Sequence, residues 1–393
     1  MQIKFAHMAD VHLGSWNNHP DLREMPLTAF DMAMDMCIAE GVNFILIAGD
    51  LFDTSLPSLD ILKGAVCKMK DCLDAGIPIY VVPGSHDFSP SGKTMLSVLE
   101  EAGLLQDVSM KLVRDKSGVK IFGMPGKKGG LESHMYGDID IGSLEKEDGF
   151  KIFMFHSAIS EHCTVKQMAT IPLSYLPKNF SYYATGHLHE TADIDENGFR
   201  IVFPGSLYAT TFDELERTAG SNGFFMVTAD DKSIRLEWKE VKVCEVETIS
   251  MVVDEKKPND VESEILNRIE QLELSGKILL IKVTGVLDGK LSDIDFRVVL
   301  KRAYERGARV VKKSAKIETK ELLIEAITPK GDIETDIIEM YIDKMKLDGI
   351  SIDDEKELIL NLMNALKDEK AEGETNATFE ERLKVNTKKV IGL

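Results

Sequence analysis

The first 245 residues of the chain predict a layered α/β fold, and two observations carry that prediction. Five apolar or β-prone runs, IKFAHMA, VNFILIA, IPIYVVPG, FKIFMFH and SYYATGHLH, alternate with stretches of helical periodicity. Acids, imidazoles or both stand at the end of each run. Because the carboxyl ends of strands in layered α/β proteins meet at one edge, we expect these polar residues to converge.

The predicted first domain spans residues 1–245, and the later part of it has a different pattern. Strand-like segments around RIVFPGS, NGFFMVTA and SIRLEWKEVK follow one another without long intervening helices, as in antiparallel sheets. Together with the earlier alternation of strands and helices, they predict an α/β sandwich built from two layered sheets.

A smaller α+β domain is expected at residues 250–328. A helix, the strand KILLIKVTGVL, a helix over Asp295–Arg306 and the strand ARVVKKSA follow one another after a polar stretch that contains Pro258. Apolar residues share one face of the second helix, so that helix packs on one side and presents charge on the other.

Beyond Pro329 and Gly331, residues 332–367 predict two short amphipathic helices. Two helices cannot bury both apolar stripes alone, so they pack on the body of the protein or capture an amphipathic partner helix. Their position after a hinge favours the partner. Residues 368–393 are charged and thinly apolar, and we expect a mobile tail there.

The net charge of the chain is −19, which argues against a protein coated in basic surface. Basic residues are nevertheless concentrated between 297 and 320, where acids are few. A solvated helix face explains such a run as well as a DNA contact does, and only the neighbouring acid and imidazole segments favour DNA. The residues predicted to contact DNA are Arg297, Lys301, Arg302, Arg306, Lys312 and Lys313.

No apolar run approaches the length of about 18 to 20 residues that a membrane span needs. The opening MQIKFAHMAD has the pattern of a strand and lacks the charged and then apolar order of a secretion signal. We therefore expect no membrane contact and a cytoplasmic protein, associated with the nucleoid if the source is prokaryotic.

The polar residues at the predicted strand ends have the composition of a two-metal phosphoesterase site. A hard divalent cation that polarises a phosphoryl oxygen needs carboxylates for charge and imidazoles for geometry, and two such cations need one bridging carboxylate. The segments, in order, are Asp10-Val-His12, Gly49-Asp50-Leu-Phe-Asp53, Gly84-Ser-His86-Asp87, His156 and Gly186-His187-Leu-His189.

This series of motifs, DxH, GDxxD, GxHD, a lone histidine and GHxH, resembles the calcineurin-like metallophosphoesterase superfamily. Within it, GDLFDTSLPS, PGSHDFSPSG and ATGHLH are similar to the nuclease of the DNA double-strand-break repair complex, of the meiotic-recombination or SbcD type. The likeness covers the first domain. The second domain resembles that family's capping, DNA-recognition domain, and residues 332–367 resemble its ATPase-binding motif.

The resemblance implies a ligand set for two cations, with Asp50 as the bridge. In the superfamily residue 85 is usually asparagine, whose amide oxygen binds metal. This chain has Ser85, whose hydroxyl is shorter and a weaker donor. Ser85 would bind the metal directly, bind it through a water or leave the second site loosely occupied, so the departure concerns metal affinity at that site. The implied ligands are Asp10, His12, Asp50 and His189 for one cation, and Asp50, Ser85, His156 and His187 for the other.

The same resemblance assigns catalytic roles to two residues. His86 would face the scissile phosphate and either stabilise charge on it or protonate the leaving oxygen, and Asp53 would orient His86. Asp87 is predicted instead to cap a turn by accepting backbone N–H bonds. The cations would be two Mn²⁺ ions by family resemblance, although the ligand types also admit Fe or Zn.

The implied function is a Mn-dependent DNA nuclease, acting as an exonuclease on duplex ends and as an endonuclease on single strands or hairpins. Its partner would be a coiled-coil ABC-type ATPase of the SMC-like, SbcC class, bound through residues 332–367. The resemblance also implies a homodimer. The apolar positions of the helices near residues 56–70 and 93–102 either belong to the ordinary core or form its two-fold interface. Two alternatives stay open: a small-molecule or cyclic-nucleotide phosphodiesterase, and a weakly catalytic scaffold between DNA and ATPase, which Ser85 suggests.

Overall fold

The computed structural model describes residues 2–89, 94–126, 140–163, 170–230, 233–319, 352–367 and 376–390. The chain divides into two compact units, Met1–Lys320 and Glu321–Leu393. The predicted α/β class is confirmed, since the first unit contains two six-stranded sheets with helices beside them. Within the described ranges, no helix is long and apolar enough to cross a membrane.

The first sheet has a parallel centre and an antiparallel edge. Its second strand, FILIA, is buried along its whole length because helices cover one of its faces and the other sheet covers the opposite face. In spatial order the strands are β14 (Ile234–Val241), β13 (Asn222–Ala229), β1 (Ile3–Met8), β2 (Phe44–Ala48), β3 (Ile79–Val82) and β4 (Gln106–Asp107).

The second sheet packs against the first. Phe5 and Phe44 from the first sheet meet Tyr182 and Ile152 from the second in one apolar cluster, so alternate side chains of both sheets fill the space between them. In spatial order its strands are β11 (Thr191–Glu196), β12 (Phe199–Pro204), β10 (Tyr182–Ala184), β7 (Lys151–Phe155), β6 (Lys120–Met124) and β5 (Leu112–Arg114). A separate pair joins β8 (Ala158–Ile159) to β9 (Thr170–Ile171).

Helices of the sandwich lie mainly on the outer face of the first sheet. The first of them begins after Glu24 with Pro26 in its first turn, and it ends at Gly41, whose φ of 60° suits the left-handed cap. The helices are α1 (Met25–Glu40), α2 (Leu59–Asp74), α3 (Met95–Glu101), α4 (Ile141–Lys146) and α5 (Phe212–Thr218).

Residues 246–319 form a third sheet with two helices, here called the three-stranded module. Its strands are parallel, and one face of the sheet packs on its own helices through Leu279, Ile281 and Val311. The opposite face contributes Ile278 and Val310 to the core of the first sheet and its helices. The elements are β15 (Val246–Lys256), α6 (Pro258–Gln271), β16 (Ile278–Leu287), α7 (Phe296–Glu305) and β17 (Val310–Thr319).

In the second unit two helices are described, α8 (Ile352–Leu366) and α9 (Asn376–Val390), and they contact each other. The first of the two helices predicted within 332–367 lies outside the described residues. The segment 368–393, where a mobile tail is expected, contains α9, and its mobility stays a prediction. The predicted domain boundaries at 245 and 328 stay predictions.

His7 is a buried histidine of β1 that lies outside the predicted metal site. Its side chain is fully shielded from solvent, and its Nδ1 lies 2.9 Å from the hydroxyl oxygen of Tyr182 in the facing sheet. Burial lowers the pKa of His7 to about 3. The folded protein therefore holds this imidazole neutral, while the unfolded chain protonates it near pH 6.5.

We predict that His7 makes the folded state sensitive to mild acid. Below pH 6.5 the unfolded state binds more protons at this site, so stability is lost as the pH falls from 6.5 toward 3. Relative to His7→Phe, the wild type should lose about 2 to 3 kcal/mol of unfolding free energy between pH 7 and 4.5. Urea titrations of both proteins measure this difference. A stability difference that is constant with pH would contradict the assignment.

Candidate metal centre

The predicted ligands come together at one edge of the sandwich, where five strands end. Three of these strands belong to the first sheet and two to the second, so the centre lies across the seam between the sheets. Asp10 follows β1, Asp50 follows β2, Ser85 and His86 follow β3, His156 follows β7, and His187 and His189 follow β10.

The backbone at these strand ends is held in an unusual conformation. Asp10, His12, Asp50 and His187 have φ values of 49°, 47°, 51° and 78°, in the left-handed region that residues with a side chain rarely occupy. Such residues cost about 1 to 3 kcal/mol each and persist where the surrounding structure fixes them. Sharp turns therefore aim these side chains across the seam.

Asp50 lies at the middle of the cluster. Its Oδ2 atom is 3.2 Å from Nε2 of His156 and 3.8 Å from Nε2 of His12. Its other oxygen, Oδ1, accepts a hydrogen bond of 2.7 Å from the backbone N–H of His86. One oxygen thus lies between two imidazoles while the other is fixed by the backbone, which is the arrangement that a bridging carboxylate requires.

Asp10 has a similar position on the other side. Its Oδ1 is 3.7 Å from Nε2 of His189 and 3.9 Å from Nε2 of His156. The backbone N–H of His187 donates to both of its oxygens, at 2.9 and 3.2 Å. Asp10 is thereby oriented toward the same space as Asp50.

The residues present fit bound cations. Asp10 with His12 and His189, and Asp10 with Asp50 and His156, each offer three ligand atoms within 4.8 Å of one another. Nε2 of His12 faces Nε2 of His189 at 3.2 Å, and Nε2 of His156 is buried without a hydrogen-bond partner. A divalent cation would satisfy all of these atoms.

The two buried acids and the imidazoles shift one another's ionisation. Burial opposes the charge on Asp50, but His156 and His12 hold the pKa of that carboxyl well below its usual range. Burial likewise opposes the charge on His156, yet Asp50 and Asp10 raise its pKa to about 10. The buried carboxylates therefore attract positive charge strongly.

His187 differs from the other histidines. Burial, with repulsion from His156, lowers its pKa to about 4, so its imidazole stays neutral, as a ligand must be. Its ring centroid lies 5.2 Å from that of His156. It does not belong to the tight groups of acids and imidazoles found among the described residues, and its role as a ligand stays a prediction.

Two acceptors outside the ligand set orient the imidazoles. The Nδ1–H of His156 donates to the carbonyl oxygen of Ala48 at 2.8 Å, and Nδ1 of His189 lies 2.8 Å from Oε1 of Glu214. In both rings this leaves Nε2 to face the centre. Despite burial, the hydrogen bond with His189 lowers the pKa of Glu214 to about 2. Sequence reasoning missed Glu214 because it belongs to none of the motifs.

His86 lies at the rim of the centre, with 46% of its side chain exposed. It contacts Asp53 through the backbone of that residue, and the orienting role of Asp53 stays a prediction. Nδ1 of His86 donates to the backbone carbonyl of Asp53 at 2.9 Å, whereas the Asp53 carboxylate is 4.0 Å away. That carboxylate lies closer to His12, 3.4 Å from its Nδ1.

The loop that carries Ser85 is tied closely to Asp50. Asp87 accepts backbone N–H bonds from Leu51, Phe52 and Gly84 at 3.0 to 3.1 Å, which confirms its predicted capping role. Burial and the nearby charge of Asp50 raise the pKa of Asp87 to about 6. Ser85 is half-buried in this loop, and metal binding by its hydroxyl stays a prediction.

The residues predicted to contact DNA fall into two groups. Four lie on α7 or at its end, and each has a partner within the module. Arg297 pairs with Asp295, Arg302 with Glu270 and Glu305, Lys301 lies 3.9 Å from Glu305, and Arg306 donates to the carbonyl oxygens of Glu270 and Leu272. These contacts partly neutralise the charge of α7. The run of basic residues in the sequence does not predict this pairing.

Lys312 and Lys313 lie on opposite faces of β17. Lys313 covers the ring of Phe296 on the helical side, at 4.1 Å from the ring centroid. Lys312 lies on the other side, 5.3 Å from the ring centroid of Trp16 and about hydrogen-bond distance from His19. Trp16 and His19 belong to the loop after His12, so Lys312 is the predicted DNA contact placed beside the metal centre's loops.

Comparison with known proteins agrees with this geometry. Residues 3–191 match the family model described as calcineurin-like phosphoesterase. A protein named DNA double-strand break repair protein Mre11 from Saccharolobus solfataricus is 27% identical over 219 residues, 54% of this chain and 57% of that protein. The protein of that name from Sulfurisphaera tokodaii is 31% identical over 206 residues, 51% of this chain and 52% of its own length.

A third relative with the same name, from Sulfolobus acidocaldarius, aligns over more of the chain. It is 26% identical over 381 residues, which cover 94% of this chain and 97% of that protein. The first two alignments span little more than half of the relatives' length, whereas the third spans nearly the whole of both chains.

We predict that Gly84→Ala weakens metal binding without altering any ligand. A Cβ atom at residue 84 would stand 2.2 Å from Oδ1 of Asp50 and would push the bridging carboxylate aside. Mn²⁺ affinity, measured by calorimetry on metal-stripped protein, should fall by about 10-fold or more. Gly142→Ala is the matched control, because its Cβ would meet only Asp140 at 3.7 Å. Equal affinity in both variants would contradict the central position of Asp50.

Proposed function

We propose that this chain is a metal-dependent phosphoesterase, the nuclease of a DNA double-strand-break repair complex. The match of residues 3–191 to the calcineurin-like phosphoesterase model and the groups of acids and imidazoles that could hold metal ions support the enzyme class. One observation carries the proposal of two-metal chemistry: a single buried oxygen, Oδ2 of Asp50, lies between the imidazoles of His12 and His156. The relatives' names supply the link to double-strand breaks.

The residues that would hold the ions are those of the ligand set named above. Asp10, His12 and His189 would hold one ion and His156, His187 and Ser85 the other, with Asp50 shared. When bound, the two ions, which we propose to be Mn²⁺ while Fe or Zn also suit the ligands, would polarise the phosphoryl oxygen and activate the attacking water.

His86 would donate a proton to the leaving oxygen. A carbonyl oxygen only accepts hydrogen bonds, so the contact with Asp53 fixes the hydrogen on Nδ1 and leaves Nε2 to take up and release a proton. Its exposure at the rim lets Nε2 reach a bound phosphodiester, and the backbone N–H of the same residue holds Asp50. The turn at His86 therefore serves both to place the proton-transferring imidazole and to hold the Asp50 carboxylate.

DNA would approach over the lysine face, defined as Lys282, Lys312 and Lys316 on the three-stranded module. These residues share the face of the sheet on which Ile278 and Val310 pack against the first domain. Lys312 reaches the loop after His12, so a phosphate backbone bound along this face would lead to the metal centre.

The further properties follow from the family resemblance and are part of the proposal. We infer exonuclease action on duplex ends and endonuclease action on single strands and hairpins. The partner would be a coiled-coil ABC-type ATPase of the SMC-like, SbcC class, bound by residues 332–367, of which α8 is described. A homodimer would place two centres beside one duplex. We infer a cytoplasmic protein, associated with the nucleoid if the source is prokaryotic.

We predict that His86→Leu abolishes nuclease activity and leaves metal binding nearly intact. End-labelled linear duplex and a single-stranded circle are incubated with Mn²⁺ or with chelator. Loss of a general acid should lower the cleavage rate about 10²- to 10⁴-fold. His162→Leu is the matched control, since His162 pairs at 2.8 Å with Glu196, an exposed acid outside the ligand set.

The outcomes separate the alternative functions. Mn²⁺-dependent cutting of both DNAs by the wild type, lost in His86→Leu, supports the nuclease. If neither DNA is cut while bis(4-nitrophenyl) phosphate is hydrolysed, a small-molecule phosphodiesterase takes its place. If neither DNA nor the small diester reacts while both ions bind, the scaffold alternative that Ser85 suggests is favoured.

A further inference from the structure

Helix α5 holds the segment that carries the metal ligand His189. Glu214 contacts Nδ1 of its ring, and Arg217 donates to its backbone carbonyl at 3.4 Å. Arg217 also lies 3.4 Å from the carboxylate of Glu190. Two side chains one turn apart on α5 therefore bind His189, one through its ring and the other through its backbone.

Glu214 is itself fixed on its far side. Its Oε2 accepts hydrogen bonds from the backbone N–H of Thr210 at 2.7 Å and from the Thr210 hydroxyl at 3.0 Å. Only 15% of its side chain is exposed. A carboxylate held in this way sets the ring orientation of His189, so that Nε2 stays turned toward Asp10 and His12.

The same helix contacts the three-stranded module through its other acids. Glu216 forms an ion pair with Lys282 of β16, and Asp213 lies 4.0 Å from Lys282 and 3.9 Å from Lys316 of β17. Leu215, between these acids, is completely buried in the core that also contains Leu280 of β16. Helix α5 is thus packed and ion-paired against the module while it holds His189.

We propose that α5 makes the placement of His189 depend on the three-stranded module, with Glu214 as the positioning residue and Asp213 and Glu216 as the link to Lys282 and Lys316. This inference rests on the metal centre of the proposed function. Lys282 and Lys316 belong to the lysine face, so a phosphate bound there would compete with the acids of α5. A phosphate bound to the lysine face would thereby change the placement of His189.

The test is a calorimetric titration of the metal-stripped full chain with Mn²⁺. Glu214→Gln keeps the size of the side chain and removes its charge, and loss of such an outer partner should weaken one binding event about 10- to 100-fold. Lys282→Gln and Glu216→Gln should weaken the same event by about 5-fold or more. Lys256→Gln is the control, because it breaks the ion pair with Glu264 inside the module without contact to α5.

Each result decides the inference. Glu214→Gln with both events at wild-type affinity overturns the positioning role, and Lys282→Gln indistinguishable from Lys256→Gln overturns the link to the module. Thr210→Val, which removes only the hydroxyl donor to Glu214, must weaken the same event and replaces Glu214→Gln if that variant fails to fold. Metal-free melting temperatures of the variants should match, since a merely structural role would lower them.

The titration is independent of DNA cleavage. If the chain binds two ions and shows the expected pattern but cuts no DNA, the proposed nuclease function falls and the role of α5 stands. If the wild type binds no Mn²⁺, both the metal centre and this inference are overturned.

Discussion

Two carboxylates buried at the seam between the sheets dominate the structure. Asp10 and Asp50 are at most 2% exposed, and taking each charge out of water costs several kcal/mol unless partners compensate for it. The compensation comes from backbone N–H groups of His86 and His187 and from imidazoles that face the acids. The remaining deficit of positive charge is what makes this seam a binding place for cations.

The need to place partners around the two buried carboxylates explains the geometry of the surrounding turns. Gly49 has a φ of 90°, and a Cβ atom there would lie 2.1 Å from Nδ1 of His156, so only glycine allows this imidazole to reach Asp50. Asp87 binds the loops after β2 and β3 to each other through three backbone donors. The ligand positions are thus set by backbone bonds that do not depend on a bound ion.

The sequence predicted the part of the site that depends on short-range patterns in the chain. Strand periodicity and the polar residues at strand ends are short-range signals, so the convergence of Asp10, Asp50 and His156 followed from fold class alone. Glu214 and Lys282 could not be found in this way, because their roles arise from contacts between elements distant in the chain. The pairing of the α7 arginines and the preference of His86 for a carbonyl oxygen likewise depend on tertiary placement.

The central claim is that two cations share Asp50. The most direct measurement is anomalous diffraction from crystals of the full chain soaked in Mn²⁺. The account predicts two peaks about 3.5 to 4 Å apart on either side of Asp50, one beside His12 and His189 and the other beside His156. A single peak, or peaks that do not contact Asp50, would contradict it.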